Sequence, residues 1–436
     1  MKNNRFEGYE DEVRQLVQEY ELMQRSGGSH YYDVEELTII IDYYLDTCER
    51  DNLEDAVRYA ENLFPQELEI RLRRAHVYCA EGRYEAALNI LNDLLQLEPD
   101  NTDVHYALGA VYSALDHPQK SIHHYQKAAT DGYRLDLIYG NIGDEYLKLE
   151  DWEHAKECYK KSLGNNPDED RSLLNLYYCW EHQSKLETAA SFFKHHVENH
   201  PYCHIAWYCL GCAYYWLGLT EQSLDAFEFT ITIHKEYYNA YLGLSSCLQQ
   251  LGKTGEAVSR LLEGINYSND RASTFIAIAT IYMDVRNYNT AIVYLKQAVG
   301  EDRFNDASWG LMADCYDMLN DPDNAEPLYQ RALGMNGEEE SHWLGYADFL
   351  LHHERFKEAA DLLKEGERTS ISPYEFNSRL AFCYYKMGKH PQLYEVLNAC
   401  AADYTEGLNT ILIDYPDMKN DPEVVRMIAE LRNSEQ

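Results

Sequence analysis

Apolar residues recur at helical spacing along nearly the whole chain. Leu108, Tyr112 and Leu115 lie on one stripe, and Ile122, Tyr125 and Ala129 on another. The stripes are cut at regular places. Gly82, Gly218, Gly252 and Gly388 stand where a helix should stop, because glycine accepts the positive φ of a helix C-terminus. Pro65, Pro99, Pro167 and Pro201 stand where the following helix should stop. These glycines and prolines share one frame of 34 residues, starting at 34, 68, 102, 136, 170, 204, 238, 272, 306, 340 and 374, with Gly at position 15 and Pro at position 32. Each frame predicts helix, turn, helix, turn.

Position 11 of that frame carries the strongest signal. It reads Tyr44, Tyr78, Tyr112, Tyr146, Trp180, Tyr214, Leu248, Tyr282, Tyr316, Leu350 and Tyr384. With 38 Tyr in 436 residues, chance would place about one Tyr on eleven such stops, so the period marks a stack of one repeated unit. Position 8 is small in every frame but those with Ile41 and Tyr177, and position 20 in every frame but those with Leu53 and Leu393. Small side chains at two fixed points let two helices approach closely, with the aromatic ring three residues after the first filling the adjoining gap.

These residues resemble the tetratricopeptide repeat (TPR) family. The frame at 204 carries Trp207, Leu210, Gly211, Tyr214, Ser223 and Phe227 at its signature positions. The frame at 306 carries Trp309, Ala313, Tyr316, Ala325, Tyr329 and Ala332 there, and the frame at 136 carries Tyr139, Ile142, Gly143, Tyr146, Ala155, Tyr159 and Pro167. The resemblance covers residues 34–407 and implies an all-α fold: a right-handed α-α superhelix of about eleven repeats. The end frames depart from the pattern. Ile41 stands at a small site, with Ala56 a candidate replacement three positions late, and Leu393 stands at another. Terminal units must close an exposed apolar face, so such departures belong there.

The flanks read as helical caps. Residues 1–33 hold an amphipathic helix over 10–25, with Val13, Leu16, Val17 and Tyr20 on one side, then the break Ser26-Gly27-Gly28-Ser29. Asp33 and Glu36 make a capping box for the next helix. In residues 408–436, Leu408 to Ile413 continues helically. Asp421-Pro422-Glu423 then starts a last helix over about 422–433, with an N-cap, a first-turn proline and an acid at the positive dipole end.

Charge narrows the partners. Lys and Arg total 38 against 74 Asp and Glu, a net charge of −36. Such a field repels nucleic acid and anionic lipid and favours basic protein segments. Most of the acid is expected on solvated helix faces. The 11 Cys form no short secreted framework, and MKNNRFEGYEDEVRQ lacks the apolar core of a signal peptide. No apolar run of membrane-spanning length occurs. The expectation is a cytoplasmic chain, monomeric or weakly self-associating.

The candidate chemistry is thin. Cys209-Leu-Gly-Cys212, with His200, Cys203 and His204 nearby, is a possible thiol or metal site. Yet both cysteines fall in the first helix of a frame, and Gly211 between them is the packing glycine. His123-His124, His195-His196 and His352-His353 are adjacent pairs, which a helix splays by about 100° and which should not chelate together. Phosphate loops, HExxH and GxSxG are absent. The expectation is no enzyme, no metal and no cofactor.

The resemblance directs attention to the wall formed by the first helices, where the family makes ligand contacts mainly at positions 2, 5, 6, 9, 12 and 13. Position 5 holds no Lys in any frame, so the family's carboxylate clamp for C-terminal tails is missing. Asn141 and Asn175 occupy position 6 in consecutive frames, as in superhelices that hold a peptide backbone through amides. Leu174, Tyr178, Tyr208, Tyr215 and Trp216 stand beside them, with Asp144 and Glu181 adding acid and Asp314, Asp317 and Asp348 extending it. Aromatic rings with acids favour a Lys- or Arg-bearing segment. The alternative for these residues is packing between repeats. The function expected is a protein-binding scaffold or adaptor, with a basic or aromatic segment lying near the frames at 136–238. The alternative is an assembly factor that uses its convex face or caps.

Overall fold

The computed structural model describes residues 10–27, 30–367, 373–403 and 407–434. The chain divides into two compact units, Met1–Ile233 and His234–Gln436. Residues 1–9, and Gly28 and Ser29 of the break after the first cap helix, lie outside the described residues.

In the first unit α1 (Glu10–Ser26) precedes six antiparallel pairs. These are α2 (Val34–Thr47) with α3 (Arg50–Leu63), α4 (Leu68–Ala80) with α5 (Tyr84–Leu97), and α6 (Thr102–Ala114) with α7 (Pro118–Ala128). There follow α8 (Leu135–Lys148) with α9 (Trp152–Asn165), α10 (Asp170–His182) with α11 (Leu186–Asn199), and α12 (His204–Trp216) with α13 (Thr220–Ile233). The second unit holds α14 (Tyr238–Gln250) with α15 (Thr254–Gly264), α16 (Arg271–Asp284) with α17 (Tyr288–Glu301), and α18 (Asp306–Met318) with α19 (Pro322–Met335). It continues with α20 (Glu340–His352) and α21 (Phe356–Gly366), then α22 (Pro373–Lys386) and α23 (His390–Asp403), and closes on α24 (Gly407–Asp414), α25 (Pro416–Lys419) and α26 (Pro422–Ser434). No strand occurs among the described residues. The frame boundaries read from the sequence coincide with the helix pairs to within a residue. Inside each unit most helices pack chiefly on their neighbours in sequence, the partner within the pair first.

The turn inside each pair is built the same way eleven times. The position-15 residue is left-handed throughout. It is Gly82, Gly218, Gly252 and Gly388 in four pairs, and Cys48, Asp116, Glu150, Ser184, Arg286, Asn320 and Glu354 in the rest, with φ between 54° and 59°. The next residue's N–H then donates back to the position-11 carbonyl, at 2.8–3.2 Å in all eleven pairs. This is the long hydrogen bond of a Schellman turn, and the ladder residue is its acceptor. A side chain at positive φ costs about 1–2 kcal/mol, which glycine avoids at some expense in unfolded-state entropy. Ser184→Gly, Glu150→Gly and Arg286→Gly should therefore each raise the unfolding free energy by about 0.5–1 kcal/mol in denaturant titrations.

Two further contacts repeat. At position 4, Trp207, Trp309 and Trp343 each donate the indole N–H to the carbonyl six residues earlier, at Pro201, Arg303 and Gly337, over 2.9, 3.3 and 2.8 Å. The Tyr241 hydroxyl donates likewise to Lys235, and a His105 ring nitrogen pairs with the Pro99 carbonyl. The position-32 carbonyl left over at the end of a second helix thus finds its partner in the next pair. At position 8, Gly109, Gly143 and Gly211 lie under the rings of Tyr125, Tyr159 and Phe227. A Cβ at any of the three would stand within 2.7 Å of ring carbon.

Both ends are closed. Val13, Val17 and Tyr20 of α1 are buried with Leu37, Ile40, Ile41, Tyr44, Leu53 and Ala56. Asp33 and Glu36 form the reciprocal capping box expected of them. At the other end Leu408, Ile411, Met418, Val424 and Ile428 are buried in the cluster that includes Leu393 and Leu397. Asp421 accepts from the N–H groups of Glu423 and Val424, starting α26 where the sequence placed it.

Candidate partner-binding groove

First helices of consecutive pairs touch one another in the first unit: α2 with α4, α4 with α6, α8 with α10, and α10 with α12. Comparable approaches between second helices do not occur among the described residues. First helices therefore approach one another more closely than second helices do.

The predicted groove residues divide into two groups. Tyr178 and Trp216 are 48% and 63% exposed, far beyond what packing between repeats requires of such large rings. Trp216 meets Tyr215 edge-on, with ring centroids 5.3 Å apart. Leu174, Tyr208, Tyr215 and Glu181 are half-buried, and Tyr208 leans on Phe227. Sequence reasoning missed two members of this strip. Trp152, at the start of α9, stacks on His182 at 4.2 Å and lies 6.0 Å from Tyr178. The second is His182; it sits at position 13 like Trp216, whereas Trp152 sits at position 17, the first residue of a second helix and outside the family's contact positions.

Asn141, Asp144 and Asn175 are engaged inside the protein. The Asn141 amide donates to the Tyr106 hydroxyl at 3.3 Å. Asp144 accepts from Tyr159 at 2.7 Å and from Asn175 at 2.9 Å, and pairs with Arg171 at 3.0 Å. Burial raises the Asp144 carboxyl above its usual range, with Arg171 and the two donors opposing. The same element recurs in the second unit, where Tyr329 donates to Asp314 at 2.6 Å and burial again raises the acid. Position 9 with Asp and position 24 with Tyr is therefore a strut across one helix pair. Asp348 is held by Arg379 through two nitrogens. Glu181 accepts from Tyr177 at 2.9 Å and keeps partial access to water. Of the acids that the sequence places on the wall, Asp144 and Asp348 are thus paired with arginine, and Asp314 and Glu181 are hydrogen-bonded by tyrosine.

The CxxC lies in α12 as its frame dictates. Cys209 is fully buried and its thiol is pushed well above the usual value by burial, which disfavours the reactive thiolate. All eleven cysteines are free thiols. Two of the three adjacent histidine pairs splay as a helix requires. His124 turns in to His105 while His123 stays exposed, and His196 turns in to the Pro167 carbonyl while His195 stays exposed. The third pair departs from expectation, because His352 and His353 both reach Asp317. His353 follows the last residue of α20, and one ring uses its near nitrogen, the other its far one. Those two differences offset the helical divergence.

Among the described residues no helix is long and apolar enough to cross a membrane. A family model described as "TPR repeat" matches residues 75–116, and models described as "Tetratricopeptide repeat" match 137–169, 276–338 and 312–372. The chain is similar to TPR repeat-containing protein MJ1428 of Methanocaldococcus jannaschii, 22% identical over 40% of this chain and 38% of that one. It is also similar to TPR repeat-containing protein YpiA of Bacillus subtilis, 20% identical over 69% of this chain and 71% of the other. A third relative, BBSome complex member BBS4 of Bos taurus, is 20% identical over 69% of this chain and 58% of its own length. The repeated corners, the glycine-on-ring contacts and these matches agree: the chain is a tetratricopeptide repeat protein.

Proposed function

We propose that the chain is a non-catalytic binding scaffold, and that the first-helix wall of the pairs starting at 136, 170 and 204 receives an extended segment of a partner protein. The observation that carries this reading is two exposed rings on consecutive first helices, Tyr178 beside the stacked Trp152 and His182, and Trp216 beside Tyr215. Large rings bury much area with little rotamer loss, and they dominate interface energies when they stand on a rigid wall. Asn141, Asn175 and Asp144 support that wall from behind through their bonds to Tyr106, Tyr159 and Arg171. The net charge of −36 favours a segment bearing Lys or Arg, with Glu181 and the ring faces as local contacts. The eleven thiols fit a reducing, cytoplasmic setting.

Affinity capture from native extract at two salt concentrations, followed by mass spectrometry, tests this. A wild-type partner should be held more weakly at high salt. Combining Tyr178→Ala and Trp216→Ala should weaken it by about 2 kcal/mol or more, roughly thirtyfold. Leu22→Glu in the cap, a residue 64% exposed, should leave capture unchanged. A partner lost with Leu22→Glu and kept by the double variant would move the interaction from the wall to the cap.

A further inference from the structure

His352 and His353 converge on Asp317 in the second unit, whereas the aromatic strip belongs to the first. His352 Nδ1 stands 3.2 Å from both Asp317 carboxylate oxygens, and His353 Nε2 stands 2.8 Å from one of them. The three ligand atoms lie within 4.8 Å of one another. Zinc bonds imidazole nitrogen and carboxylate oxygen at about 2.0–2.2 Å, so ligands on neighbouring corners of its tetrahedron lie about 3.3–3.5 Å apart. The nitrogen-to-oxygen spacings found here are already close to that edge.

The surroundings suit a cation. The Asp317 side chain is 12% exposed, and its ion-pair partners are these two imidazoles. Nearby Arg side chains are committed elsewhere, Arg355 to Glu326 and Glu358, and Arg379 to Asp348 and Glu375. Asp314 is close enough for the Asp317 charge to help raise its carboxyl, so the neighbourhood is acidic. His353 is packed against Phe349, with ring centroids 4.6 Å apart, which fixes its ring. His352 is more open, at 58%, and leaves an approach from solvent.

We propose that Asp317, His352 and His353 bind one zinc ion, with the fourth position open to water or to a donor from a partner. Zinc takes imidazole only in its deprotonated form, so protons compete with the ion and binding weakens as pH falls. Because Asp317 belongs to α18 and the histidines to the end of α20, the ion would tie two consecutive repeats together.

The test is cobalt(II) and zinc titration of the untagged full-length protein after chelator treatment, at pH 7.5. One equivalent of cobalt should bind with a tetrahedral visible spectrum and no thiolate charge-transfer band, and zinc should displace it. His352→Ala, at the most exposed ligand, should keep the fold by circular dichroism and lose affinity at least about tenfold, the loss that even an outer-shell partner costs. Asp317→Asn should do the same. Zinc should raise the melting temperature of the wild type and not of either variant. The proposal fails if no equivalent binds, if a thiolate band shows cysteine ligation instead, or if His352→Ala binds as tightly as the wild type.

Discussion

Gly143→Val should destabilise the pair α8 and α9 by about 3 kcal/mol or more, and Gly143→Ala by about 1–2 kcal/mol. A Cβ at this glycine stands 2.6 Å from a ring carbon of Tyr159. That ring is fully buried and pinned by its hydroxyl on Asp144, so it has nowhere to go. Alanine in mid-helix would otherwise gain about 1 kcal/mol over glycine, and the clash has to exceed that gain. Gly164, in α9, gives the control, because an added Cβ there meets nothing within 4 Å. Gly164→Ala should therefore stabilise by about 0.5–1 kcal/mol. Urea unfolding of the three variants beside the wild type reads both signs in one experiment. If Gly143→Ala matched Gly164→Ala, the close approach of helix to ring would carry no energetic weight.

Asp144→Ala should cost about 2–3 kcal/mol of stability, and Asp314→Ala about 1–2 kcal/mol, before either affects a partner. Each removal leaves a buried tyrosine hydroxyl without its carboxylate, Tyr159 in one case and Tyr329 in the other. Asp144 costs more because Asn175 and Arg171 lose the same acceptor. Pairing each change with Tyr159→Phe or Tyr329→Phe tests the assignment in a double-mutant cycle. The combined loss should fall well short of the sum, since the phenylalanine has no hydroxyl to strand. Additive losses would mean the strut is incidental. The practical consequence is that weakened capture by an Asp144 variant has to be read against its stability, whereas Tyr178 and Trp216 can be changed with little effect on packing.

Almost all of the helix-pair architecture is legible in the sequence. The ladder through Tyr44 and Tyr384, the glycine corners and the proline stops fixed the helix pairs because each has one local physical cause. Seven left-handed corners without glycine were not legible, since nothing in Cys48, Glu150 or Arg286 announces positive φ. The wall was legible in part. Its aromatic members stood out by type, but the fate of its polar members depends on partners 15 to 35 residues away, as with Asp144 and Tyr159 or Asn141 and Tyr106. Periodicity gives a residue's face, and it does not say which neighbour takes its hydrogen bond. The histidines at 352 and 353 misled for a similar reason. An angle of helical divergence describes Cβ directions, and a ring with two nitrogens at the end of a helix can reach past it.

Because the helices of a unit pack on near neighbours in sequence, cooperativity between distant pairs has to pass through every pair between them. Melting should then run inward from frayed ends, and amide protons of central pairs should exchange last. A single midpoint from a bulk signal would average over that gradient. In such a chain, a partner or ion that clasps two adjacent repeats would act as a brake on the spread of disorder as well as a tie between them.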